Sequence, residues 1–166
     1  DKVDHSKQNT SDNNKFVKDT TRKYTKYISK PAFTGTINLN TCDTNDLKKL
    51  KGIGPTLSKR IISYRVKLGG FMSKDQLKEV YGIKPEVYNH NKPHFILEAK
   101  NINKININKA TYNQLWSHPY ISKKLAYQII KERYKGKYKD FDNFESRLSI
   151  FPHYSKRLQN YLQFVL

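Results

Sequence analysis

A single cysteine, Cys42, is present among 166 residues. No intramolecular disulfide framework can form, and the redox compartment stays open. Acidic residues are also scarce, with 14 Asp and Glu against 32 Lys and Arg, a formal net charge of +18. That excess is far beyond what solubility requires and points to a polyanionic partner. Nucleic acid is the first candidate and an anionic membrane surface the second, with a merely solvated basic face as the plain alternative. Long apolar runs are missing, so no stretch has the length of a transmembrane helix, and no signal peptide is visible. The five histidines include no close pair beside Cys, Asp or Glu at metal-ligand spacing. His90 and His94 are four apart, but Pro93 between them breaks the helix a paired site would use. No nucleophile stands with a base, and no carboxylate cluster is placed to hold magnesium for phosphodiester cleavage. The sequence therefore supports neither an enzymatic activity nor a cofactor or metal.

What the chain does have is a stretch from Leu47 to Ile62 in which two short apolar-periodic segments flank Gly52-Ile53-Gly54. Leu47 and Leu50 lie three apart and Leu57, Ile61 and Arg65 four apart, which is helical spacing on both sides. Glycine suits a tight bend needing positive φ, or a backbone that must come close to another molecule. Pro55 opens the second helix where its missing N–H costs nothing. The N–H groups of Gly52, Gly54 and Thr56, at a helix N-terminus with partial positive charge, form a concave donor nest for an anion. Lys51, Lys59 and Arg60 add full charges, and no acidic residue intervenes between Asp46 and Asp75. A backbone phosphate is the expected anion.

The arrangement resembles the helix-hairpin-helix motif. The wider sequence is similar to the ComEA-type DNA-binding family, from Ile37-Asn-Leu-Asn-Thr41 through the hairpin to Tyr64-Arg65 and Gly69-Gly-Phe-Met-Ser-Lys-Asp-Gln-Leu77. The resemblance implies that hairpin amides grip the phosphates of duplex DNA without reading bases. It also implies a competence-type receptor for DNA uptake, held outside the cytoplasm by an N-terminal membrane anchor absent from this chain.

The register repeats. Ile37-Asn-Leu-Asn40 returns 68 positions on as Ile105-Asn-Ile-Asn108, and the match continues through Leu47/Leu115, Ile53/Ile121, Leu57/Leu125 and Arg65/Arg133. Two copies of one supersecondary unit follow. Each copy opens on an N-cap, Asp43 with Asp46 and Thr111 with Gln114. The long helices run from Pro55 to about Leu68 and from Lys123 to about Lys135, closed by Gly69-Gly70 and Gly136. A second hairpin is expected in each copy. Ser73 to Gln76 caps a helix through Val80, Gly82-Ile83-Lys84 makes the turn, and a further helix starts at Glu86; Asp140 to Arg147 and Phe151 to Tyr154 correspond in the second copy. Phe71, Leu77, Val80, Ile83, Val87 and Phe95 are expected core, and Tyr161, Leu162 and Phe164 close the end. The fold class is all-α, two tandem compact helical units of paired helix-hairpin-helix motifs, a SAM-like bundle. Residues 1-36 are a flexible, disordered basic tether, with eight Lys and Arg against four Asp, which docks Phe33 at the domain edge. Residues 37-100 form the unit with the intact hairpin and 101-166 the degenerate one.

The turns differ. The first keeps every feature of a phosphate nest, and the second, Gly82-Ile83-Lys84, has lost a glycine and gained a lysine that extends the track. The third, Ser117 to Ser122, has Tyr120 and Ser122 where the first has Gly52 and Gly54, which reads as a structural turn. Yet the second copy is the more basic, with 12 Lys and Arg against four acids, so Lys123, Lys124, Lys131, Lys135, Lys137 and Lys139 either steer DNA or face an acidic protein partner. Tyr64, Tyr127 and Tyr134 fall on the long helices, where packing is the expected role rather than stacking on single strands. The reading is non-enzymatic, sequence-independent double-stranded DNA binding. The alternatives are a helical protein-interaction scaffold and a cytoplasmic DNA repair or recombination accessory.

Overall fold

Short polar side chains start the helices. In the computed structural model, which describes residues 33–98, 102–148 and 152–165 except the side chains of 152–155, α1 (Thr44–Lys48) is capped by Asp43. The Asp43 carboxylate accepts from the Asn45 and Asp46 N–H groups at 2.7 and 2.8 Å, and Asp46 reaches back to the Asp43 N–H. Thr111 and Gln114 form the same reciprocal cap on α4 (Tyr112–Ser117). Both boxes fill amide valences that a helix start leaves empty. The long helices are α2 (Pro55–Leu68), which Gly69 ends at φ 85°, and α5 (Lys123–Arg133).

The Ser73/Gln76 box is present too, but it opens a 3-10 helix over Lys74–Glu79 rather than an α-helix through Val80. Six residues is long for this tighter i to i+3 bonding. It is followed by α3 (Pro85–Asn91). The second copy continues with α6 (Phe141–Leu148) and α7 (Pro152–Gln159). Residue 151 of the fourth turn lies outside the described residues, as does the expected tether apart from residues 33–36.

The sequence pattern announces no strands, yet the mostly helical fold carries two short parallel pairs. β1 (Ile37–Asn38) pairs with β2 (Phe95–Ile96), and β3 (Ile105–Asn106) pairs with β4 (Leu162–Gln163). Parallel strands need a long crossover. Here each crossover is the whole helical unit, so each strand pair ties the beginning of one copy to its end.

Two polar clamps recur. Arg65 Nη1 donates to the carbonyls of Leu39 and Cys42 at 3.0 and 2.7 Å, and Arg133 Nη1 to those of Ile107 and Ala110 at 3.1 and 2.9 Å. The Asn40 side chain bonds both backbone groups of Phe71 at 2.9 and 2.7 Å, as Asn108 does those of Tyr138 at 2.8 Å. The arginines are 68 apart but Phe71 and Tyr138 only 67, so the second copy lacks one residue in between. Cys42 and Ala110 are equivalent small buried residues, and burial pushes the Cys42 thiol pKa up.

Residues 31–166 form one compact unit. Leu39, Leu47, Ile61, Leu68, Phe71 and Leu77 are fully enclosed in the first core; Val80 and Phe95 join them, with Ile83, Val87 and Phe33 packed at its margin. Ile107, Leu115, Ile129, Tyr138 and Phe144 build the second core, which Leu162 and Phe164 help close. Tyr161 departs from the expectation that it closes the second copy, because its ring enters the first core instead. Its hydroxyl lies 2.8 Å from Gln76 Nε2 and 3.0 Å from the Gly70 carbonyl. Glu79 makes a second joint. One carboxylate oxygen accepts from Tyr64 at 2.5 Å and Tyr120 at 2.8 Å, and the other pairs with Arg157 at 3.1 Å. Burial pushes the Tyr120 phenol up to about 12 and Tyr64 well above its usual range.

Candidate nucleic-acid interface

Three turns share one backbone skeleton. In the first, the Leu50 N–H bonds to the Leu47 carbonyl and the Ile53 N–H to the Leu50 carbonyl, and the Ser58 N–H then starts the helix on Gly54. Val80, Ile83 and Tyr88 repeat the pattern on Leu77, Val80 and Lys84; His118, Ile121 and Ala126 repeat it on Leu115, His118 and Ser122. An apolar residue plugs each turn into the core, Ile53 and Ile121 being almost wholly buried and Ile83 partly so. The skeleton is common, and the chemistry each turn presents is not.

In the first turn the two glycines have separate tasks. Gly52 sits at φ 79°, and a Cβ there would come 2.8 Å from Val87 Cγ2. It is glycine because of the bend and because α3 packs behind it, where Asn91 Nδ2 donates to the Lys51 carbonyl at 2.8 Å. Gly54 has φ −100°, which any residue adopts, and nothing lies within 4 Å of where its Cβ would stand. Fold geometry does not require glycine there. Its lack of a side chain leaves the N-terminus of α2 open to an outside group, with Pro55 in the first turn, no side-chain cap and no acidic residue. The first N–H groups of such a helix have no intrahelical acceptor. Thr56, Lys51 and Lys59 are exposed around it.

Arg60 is placed differently from the sequence expectation. Its guanidinium turns to the second turn, donating to the Tyr81 carbonyl at 3.3 Å and lying 4.9 Å from the Tyr81 ring centroid. It bridges the two turns rather than flanking the first. The second turn keeps the bend, with Gly82 at φ 94°, and α3 begins at Lys84 and Pro85 without a side-chain cap. Lys84 is exposed. Glu86 stands in the first turn of α3, putting a carboxylate where an incoming phosphate would benefit from the helix dipole. Sequence reasoning misses that residue's effect, although its place after Pro85 is legible.

The third turn is spent inside the molecule. Ser122 Oγ accepts from the Leu125 N–H at 3.1 Å and so occupies a donor that α2 leaves open. His118 is buried, its Nε2 3.2 Å from the Leu68 carbonyl in the first copy and its Nδ1 accepting the Tyr120 N–H at 3.2 Å. A carbonyl only accepts, so Nε2 carries the proton and the ring is neutral. Burial, opposed in part by the Leu68 carbonyl, lowers its pKa to about 4. Tyr120, in the place of Gly52, spends its hydroxyl on Gln76 and Glu79. Of the tyrosines expected to pack, Tyr64 does, whereas Tyr127 and Tyr134 are exposed, at 63 and 88 %.

Neither the comparison with curated proteins nor that with solved structures gave a match. A family model described as a helix-hairpin-helix motif matches twice in tandem, over residues 33–96 and 100–163. With that model spanning most of the sequence and one turn skeleton recurring along it, the chain belongs to the helix-hairpin-helix family.

Proposed function

We propose that this protein binds double-stranded DNA through backbone phosphates, without reading base sequence, and that the first turn is the principal contact. Membership of the helix-hairpin-helix family carries nucleic-acid binding in general. The observation behind the finer reading is the uncapped, acid-free N-terminus of α2, open because Gly54 has no side chain. A phosphate oxygen there meets amide donors and a favourable dipole. Lys51 and Lys59 add charge at the same end, and Lys84 continues the track to the second turn, where Glu86 opposes it. Amides and lysines position a duplex and carry no base information. The role is binding, not catalysis. The tyrosine of the third turn is accounted for by bonding within the chain, which removes the main motive for a separate protein-interaction role in the second copy. A competence-type receptor, anchored by a segment outside this chain, is the biological setting that the ComEA-type resemblance supports.

Gly54→Asp tests the reading. Aspartate is at least as good an N-cap as glycine, so the variant keeps or gains a few tenths of a kcal/mol of stability. Its carboxylate occupies the donors a phosphate would use. Duplex DNA titrated across a salt series should show a steep log-log slope in wild type. In the variant the affinity should fall, and the slope should be shallower by about 0.9 for each phosphate no longer bound. A folded variant with unchanged affinity and slope sinks the proposal.

A further inference from the structure

The third turn lacks the open amides of the first, but the outer face of the second copy is built differently. Among the described residues, four of its large aromatics are exposed on the α4–α5 pair: Tyr112 and Trp116 at about 40 %, Tyr127 at 63 % and Tyr134 at 88 %. In the repeat register the first copy has Thr44, Lys48, Lys59 and Val66 at these positions. The same surface is thus non-aromatic in one copy and aromatic in the other. Folding does not require the rings, because the first copy makes the same turn without them.

Lysines interleave with these rings. Lys123 Nζ lies 4.9 Å from the Trp116 ring centroid. Lys123, Tyr127, Lys131 and Tyr134 follow at helical spacing along α5, within an arc of about 80° and over about 16 Å. The acidic residue of α5, Glu132, is held by Lys135 at 2.7 Å, and α4 has no acid. Flat apolar faces alternating with cations fit a ligand that carries both exposed π-faces and regular negative charge. Duplex DNA hides its base faces, and an acidic peptide supplies charge without a run of flat rings. We propose that the outer face of α4 and α5 is a stacking track for single-stranded DNA, distinct from the duplex contact at the first turn. The choice of DNA over RNA rests on the duplex reading of that turn.

Trp116 is the only tryptophan, so its fluorescence reports directly on the track. Titration of the full chain with an oligothymidylate of about 12 nucleotides should quench it. Tyr127→Ala/Tyr134→Ala, which alters only exposed side chains, should weaken that binding at least about 20-fold, on about fivefold per stacked base, and leave duplex affinity within about twofold. Gly54→Asp should do the reverse. Absence of quenching, unchanged oligothymidylate affinity in the double variant, or equal weakening of both ligands in either variant overturns the track. Tighter binding of oligouridylate than of oligothymidylate overturns the assignment to DNA. Loss of duplex binding in Gly54→Asp alone upholds the first turn whatever the track does.

Discussion

The Tyr161 hydroxyl reaches 85 residues back along the chain to Gln76 Nε2, at 2.8 Å, from a ring enclosed in the first core. The last residues of the second copy therefore complete the first. Tyr161→Phe leaves the Gly70 carbonyl without its partner and takes from Gln76 Nε2 one of its two hydroxyl partners, Tyr120 keeping the other, a loss of about 1–3 kcal/mol. Urea unfolding followed by Trp116 fluorescence, which reports the second copy, and by far-UV circular dichroism should give coincident transitions in wild type and a common lower midpoint in the variant. An unmoved midpoint would mean that the joint contributes nothing.

His118 links stability to pH. Its folded pKa of about 4 lies below the roughly 6.5 of an unfolded histidine, so between these values the unfolded chain binds more protons. Its contribution is complete above about pH 6.5 and falls away as pH drops toward 4. Protonation would also set an Nδ1–H against the Tyr120 N–H. Wild type should lose on the order of 3 kcal/mol across that window by denaturant unfolding. His118→Gln, which keeps a donor and an acceptor but does not titrate, should lose less; an identical pH profile in the two proteins would remove His118 as the cause.

The two glycines of the first turn should separate fold from binding. Gly52→Ala meets Val87 and a positive φ, and should cost about 1–3 kcal/mol. Gly54→Ala meets nothing within 4 Å and should cost no more than about 1 kcal/mol through the poorer cap, while a methyl group at the nest lowers duplex affinity. Thermal melts and a DNA titration on the same samples decide it. A Gly54→Ala protein with wild-type affinity would argue against close backbone approach.

Arg65 and Arg133 each close two carbonyls with one nitrogen. Lysine brings a different donor geometry on a flexible stem, so Arg65→Lys and Arg133→Lys should each cost about 1.5–3 kcal/mol. Duplex binding at about 20 °C should persist in folded Arg65→Lys, because the guanidinium faces inward. A selective drop in DNA affinity at unchanged stability would assign Arg65 to the interface instead.

The local features were legible in the chain itself. The caps at Asp43, Ser73 and Thr111, the glycine at Gly52 and the stop at Gly69 depend on neighbours within a few residues, and such bonds form wherever the residues occur; the repeat from Ile37 to Ile105 is read by matching the chain with itself. The helical fold and the motif family follow from them. What the local pattern could not carry was decided by packing across long separations. Tyr161 enters the first core, Glu79 gathers Tyr64, Tyr120 and Arg157, and Arg60 turns to Tyr81 because partners distant in sequence stand there. The strand pairs join residues far apart in the chain, Ile37 with Phe95 and Ile105 with Leu162, and their two-residue length leaves no period to read. Tyr127 and Tyr134 stand in helical register with the exposed Lys123 and Lys131 and not with the buried Ala126 and Ile129, so they face water where packing was expected.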